Sequence, residues 1–163
     1  MQNITFTDEG FIFPNEKINV DLATLKTVFV DNFPNSTTRK TLYDNYLRYI
    51  DDFSKQITPN FTQWINGSFV TLKENPNDID FVTFIDEKYY LQHDEDEVLD
   101  AFYAFSLEKE KLDAFIVGIY PKDDSKYLTH TLYFKEQWAT LFSRTKATLD
   151  GSVFKKGFIE INF

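Results

Sequence analysis

The stretch "WINGSFVTLKENPNDIDFVTFID" spans residues 64–86. Its second half, "IDFVTFI" (79–85), is rich in β-branched and aromatic residues and predicts a strand. Its start belongs to "FTQWIN" (61–66), a second strand ended by the turn residue Gly67. Between the strands stand Gly67-Ser68, nine residues, and Asp78-Ile79-Asp80. Side chains at i and i+2 of a strand share a face, so Asp78 and Asp80 project together while Ile79 points the other way into the core. Two carboxylates on one face repel, and need either a solvated surface or a cation between them. Magnesium favours oxygen ligands, commonly one or two carboxylates plus substrate phosphates. An Asp-x-Asp pair taken alone at a strand start is most often a solvated turn.

Gly67 permits close approach of a ligand to the backbone. A short helical turn starting at Ser68 would aim free N–H groups and a hydroxyl past the strand end, where a phosphate binds. A third acid, Asp113, opens the apolar strand "DAFIVGIYP" (113–121). Placed beside 79–85, that strand would bring Asp113 level with Asp78 and Asp80. Metal-dependent nucleotidyl transfer needs such ligands, and a base for the attacking hydroxyl.

Outward from this segment, residues 1–20 read as irregular with short extended pieces. Residues 20–33 predict a short helix capped by Asp21 and stopped near Pro34. Leu42, Tyr46, Tyr49, Ile50, Phe53 and Ile57 recur at helical spacing and predict one apolar face of a long helix, capped at Asn35 or Ser36 and closed by "TPN" at 58–60. Residues 94–112 predict a helix with an acidic first turn, and "DAFIVGIYP" a strand buried on both faces. Residues 128–146 predict a helix with Phe134, Trp138, Leu141 and Phe142 on one side. "GFIEINF" (157–163) predicts a last strand. The alternation of helices and strands predicts one α/β (α+β) domain, a mixed β-sheet with helices packed on it.

The 163 residues fit one domain, and 42% apolar content suffices for one core. Eighteen Phe and nine Tyr make that core aromatic. A net charge of −9 argues against unaided binding of long nucleic acids. Bound divalent cations can still invert a local charge, so a nucleotide remains compatible. Without Cys there is no disulfide, thiol catalysis or Cys-ligated zinc. The N-terminus has no basic start and apolar stretch of a secretory signal, and no apolar run approaches the ~20 residues of a membrane span. A cytoplasmic protein is the simplest expectation. P-loop, dinucleotide-binding and Gly-x-Ser-x-Gly patterns are absent. His93, beside Asp94, Glu95, Asp96 and Glu97, reads as a solvated helix start, and His130 as a structural or surface residue. Lys146, Lys155 and Lys156 are candidate cations for a triphosphate, though exposed lysines are the ordinary content of any surface.

The combination of strand, Gly67-Ser68, nine residues, Asp78-Ile79-Asp80, strand, helix and acid-led strand resembles the nucleotidyltransferase superfamily that includes DNA polymerase β. "INGS" (65–68) and "NDIDFV" (77–82) carry the resemblance. It is sharpest over 63–82 and looser over the rest, where "WATLF" (138–142) and "KKGFIEI" (155–161) are similar to small bacterial proteins of that fold. The resemblance implies a minimal nucleotidyltransferase core. Gly67 and Ser68 would hold an NTP, Asp78 and Asp80 would bind one or two Mg2+, and Asp113 would complete the metal site and activate an acceptor hydroxyl. The chain departs from many small members in having no Arg shortly after Gly-Ser; "FVTLKEN" (69–75) offers only Lys73. The departure and the small size also fit a regulatory binding protein on the same fold, such as one half of a toxin–antitoxin or defence pair. The acceptor, whether small molecule, protein or RNA end, is not specified by these residues.

Overall fold

Five strands form the sheet that carries the acidic residues. The computed structural model describes residues 4–94, 98–107, 110–147 and 151–163. Strands β1 (Thr5–Phe6) and β2 (Ile12–Phe13) pair as a small antiparallel ribbon. The main sheet takes β3 (Lys17–Asn19), β4 (Thr62–Asn66), β5 (Ile79–Asp86), β6 (Leu112–Ile119) and β7 (Phe158–Asn162) in the spatial order β3-β7-β4-β5-β6. β3 and β7 run parallel, as do β5 and β6, while β4 is antiparallel to both its neighbours. The chain is thus a mixed α/β fold, with helices packed on both faces of the sheet.

Side-chain alternation divides those faces. On one, Ile65, Phe81, Ile85, Ala114, Ile116, Ile159 and Ile161 meet helix α2 (Arg39–Gln56) and helix α4 (Val98–Leu107). Tyr46, Tyr49 and Phe53 of α2 lie on the predicted apolar stripe; the Tyr49 ring stands edge-on to Phe81 and Phe102. On the other face, Trp64, Val82, Phe84 and Phe158 pack under Trp138, Ala139 and Phe142 of α5 (Tyr133–Phe142). This second cluster is smaller, and it leaves one end of its face to polar residues.

Several elements differ from the sequence expectation. The 20–33 helix is α1 (Leu22–Lys26), continued as a π-helical stretch Thr27–Asp31. Asp21 caps it as expected, its Oδ1 accepting from Thr24 N at 2.7 Å. The Ser36 hydroxyl accepts from the Thr38 and Arg39 N–H groups at the start of α2.

The helix expected over 94–112 is present in shortened form as α4, and an additional helix, α3 (Glu87–Asp94), follows β5 directly. Asp86 Oδ1 accepts from Lys88 N at the start of α3. That helix buries no residue, so no apolar stripe betrayed it. His93 therefore lies in the last turn of α3 and not at a helix start, and the acids 95–97 expected in a first turn lie outside the described residues.

The helix expected over 128–146 begins as a π-helical stretch Tyr127–Leu132 and its α-helical part ends at Phe142. Leu141, expected on its packed side, is exposed. β6 is not buried on both faces: it is the edge strand, with Leu112, Ala114 and Ile116 buried and Phe115 exposed on the thinly covered side. Among the described residues no helix is long and apolar enough to cross a membrane.

Candidate functional site

The end of β4 and the beginnings of β5 and β6 meet at one place. Asn66, the last residue of β4, pairs with Asp80, and Asp80 pairs with Asp113 across the parallel β5–β6 ladder. Residues opposed in register share a sheet face. Asn66, Asp80 and Asp113 therefore project from the same face, the one covered further along by α5. Asp78 precedes β5 by one residue and shares their electrostatic environment.

The electrostatics show how closely the carboxylates are placed. Burial raises the Asp80 pKa above the usual carboxylate range, and the charges of Asp78 and Asp113 raise it further. Asp113 is raised by burial and then by Asp78. Lys146 acts in the opposite sense on both, and Lys156 does so on Asp80. Lys156 is 6% exposed, and burial pulls its ammonium down to about 8 against the opposing pull of Asp80. Asp78 and Asp113 also line a small cavity of about 150 Å³, with Asn77, Lys111 and Leu112. As the side chains stand, no group of three or more His, Asp or Glu among the described residues is drawn tightly enough together to hold a metal ion. The three acids share a neighbourhood without forming a closed ligand cage.

Gly67 is bound to this geometry. Its φ of +76° lies in the left-handed region, and a Cβ there would collide with the Asp80 carboxylate. The glycine turn and Asp80 are thus one packed unit.

The segment after Gly67 departs from expectation. Residues 67–70 form bends and turns, not a helical start, so Ser68 stands at no helix N-terminus. Arg39, which is 1% exposed, grips the backbone of this segment. Its Nη1 donates to the carbonyls of Phe29 (2.7 Å) and Phe69 (2.6 Å), and its Nη2 to those of Thr71 (2.8 Å) and Lys73 (2.6 Å). Thr71 Oγ1 donates to the Ser68 carbonyl, while the buried Phe69 and Val70 anchor the loop.

The remaining candidates separate. The exposed Lys73 contributes its carbonyl to Arg39, and no coupling of its ammonium to the carboxylates is found among the described residues. Lys155 is exposed and bridges by its backbone to Arg144. Lys146 is exposed but faces the acids electrostatically. His130 is structural: its Nε2 lies 3.0 Å from the Gly118 carbonyl, and its ring packs on Tyr120 and Phe134. Two residues escaped sequence reasoning, Asn66 and Arg39. Asn66 had a signal, because a polar residue two after Trp64 falls on the same face of β4. Arg39 had none, because its partners lie 10 to 34 positions away.

Fold and site together define a mixed α/β protein with three acids gathered beside a glycine turn at a strand junction. The chain belongs to DUF6932, a family of unknown function, whose model matches residues 4–162. No curated protein and no solved structure matches it.

Proposed function

We propose that this protein is a magnesium-dependent nucleotidyltransferase that moves a nucleoside monophosphate from an NTP to a hydroxyl acceptor. The observation that carries the reading is the register of Asp80 with Asp113 on adjacent parallel strands, with Asp78 at their head and the Gly67 turn packed against Asp80.

The donor chemistry fits a hard divalent cation. Asp78, Asp80 and Asp113 supply carboxylate oxygens, mutual repulsion raises Asp80 and Asp113, and a buried amide oxygen stands unpaired on Asn66. These three acids would hold Mg2+, which when bound supplies positive charge to the phosphates.

The chain's own residues do the rest. Gly67, without a side chain, lets the Asp80 carboxylate pack against the β4 turn beside the triphosphate, and Ser68 offers that triphosphate a hydroxyl and an N–H. Asp113, on the strand beside Asp80, takes the proton of the acceptor hydroxyl. The hydroxyl oxygen attacks the α-phosphorus, the bond to the bridging oxygen of the β-phosphate breaks, and pyrophosphate leaves. Lys156 and Lys146 supply the positive charge toward that leaving group for which many small members of the resembled superfamily use an Arg after Gly-Ser.

Transfer of label from α-labelled NTPs to components of a cell extract, with Mg2+, tests this reading. Wild type is expected to label an acceptor and the Asp78→Asn/Asp80→Asn variant to lose labelling by at least about a hundredfold. Equal labelling by both proteins, or none by either, overturns it.

One observation favours a second reading, a non-catalytic binding or regulatory protein on this fold. The turn after Gly67 presents no helical cluster of N–H groups to a triphosphate. Under that reading a nucleotide or a partner protein binds without transfer, and the extract shows no labelled product.

A further inference from the structure

A buried polar atom in a folded protein almost always has a partner, so one without a partner calls for a missing one. Four such side-chain atoms occur among the described residues: Thr38 Oγ1, Arg39 Nε, Tyr49 OH and Asn66 Oδ1. The first three belong to α2 or its cap, and α2 packs on the sheet face opposite the acids. Asn66 is different. It is 7% exposed, and it stands in register with Asp80 on the face that Asp80 shares with Asp113. It also immediately precedes the glycine whose missing side chain makes room for the Asp80 carboxylate.

The chemistry of the missing partner follows from the atom. An amide oxygen is an acceptor only. Its partner is therefore a proton donor or a cation. The side chain opposite it on β5 is the Asp80 carboxylate, which donates nothing when ionised, and Lys156 leaves the oxygen unpaired. Hard divalent cations take carboxylate and amide oxygens together in one coordination set.

We infer that Asn66 Oδ1 is an oxygen ligand of the divalent cation held at the Asp80–Asp113 junction, the member that completes a set the carboxylates leave open. This inference rests on the metal-site reading proposed above. It gives Asn66 a role that backbone pairing does not require, and it explains how three acids that form no closed cage can still capture an ion.

Mn2+ serves as the probe, because its binding is read directly by electron paramagnetic resonance of the free ion, without nucleotide or turnover. Wild type, Asn66→Ala, Asn66→Asp and Asp80→Asn are titrated, each checked by circular dichroism for a native fold. The expected result is a Kd weakened about tenfold or more in Asn66→Ala. In Asn66→Asp, where the amide oxygen becomes a charged one of the same size, Mn2+ should bind more tightly than to wild type. Asp80→Asn should lose binding. A native Mn2+ affinity in Asn66→Ala, with Asp80→Asn still defective, overturns the role of Asn66 and leaves the carboxylate site standing. No Mn2+ binding by wild type overturns both. If Asn66→Ala does not fold, Asn66→Asp decides: tighter binding supports the ligand, and unchanged or weaker binding overturns it.

Discussion

Two buried polar centres lie on either side of the loop 67–73, and they are finished to different degrees. At one, the Arg39 guanidinium donates to four backbone carbonyls and stacks on the Phe33 ring. Burial lowers it to about 10, yet the surrounding carbonyls solvate the charge. At the other, Asp80, Asp113, Lys156 and Asn66 are crowded on one end of a sheet face, with pKa values pushed from normal and an amide oxygen unpaired. The first centre answers its own electrostatics at all but the Arg39 Nε, which has no partner, and reads as architecture. The second leaves its electrostatics to be answered from outside, which is what a binding site does.

The contrast predicts opposite responses to removing charge. Arg39→Met should be the most damaging change, because four buried carbonyls lose their donor at once. A loss of about 3–5 kcal/mol in urea unfolding at pH 7 is expected. A loss under about 1 kcal/mol would mean that the loop carbonyls find water and that Arg39 is not its anchor.

Gly67→Ala comes next. The left-handed backbone and the collision with Asp80 should cost about 1–3 kcal/mol and displace the carboxylate. Divalent-cation binding should fall with it, and a variant with native stability and native cation binding would break the proposed coupling of turn to acid.

Lys156→Met is the smallest effect and opposite in sign. The folded chain holds the Lys156 proton less tightly than the unfolded chain, in which lysine titrates near ~10.4. Between about 8 and that value the native state binds fewer protons, so wild-type stability should rise with pH through this window. Below it both states are protonated and the cost of the buried ammonium is fully present. Lys156→Met should abolish the rise and be the more stable protein at pH 7, by on the order of 1 kcal/mol after solvent screening. A less stable variant at pH 7 would show that the ammonium, like Arg39, is answered within the fold.

The two centres also differ in how legible they were. Strand periodicity of two fixes which residues share a face, so the grouping of Asp78, Asp80 and Asp113 followed from "NDIDFV" and "DAFIVGI" once those strands were placed side by side. The edge position of β6 did not follow, because an apolar run reads alike whether one face is buried or both. The short α3 was hidden by its lack of a buried stripe. The bends after Gly67 did not follow from local sequence, and neither did their anchoring by Arg39, which reaches them from a helix far earlier in the chain. Asn66 was visible as a letter but not as an orphan, since burial without a partner is a property of the packed structure.

The central claim is that the open centre receives a magnesium-bound triphosphate. Its most direct measurement is calorimetric titration of the protein with an NTP analogue whose α,β-bridging oxygen is replaced, with and without Mg2+, for wild type and Asp80→Asn. Saturable binding by wild type that requires Mg2+ and is lost in Asp80→Asn is the predicted result. Binding that ignores Mg2+, or that survives in Asp80→Asn, or no binding at all by wild type, would contradict it.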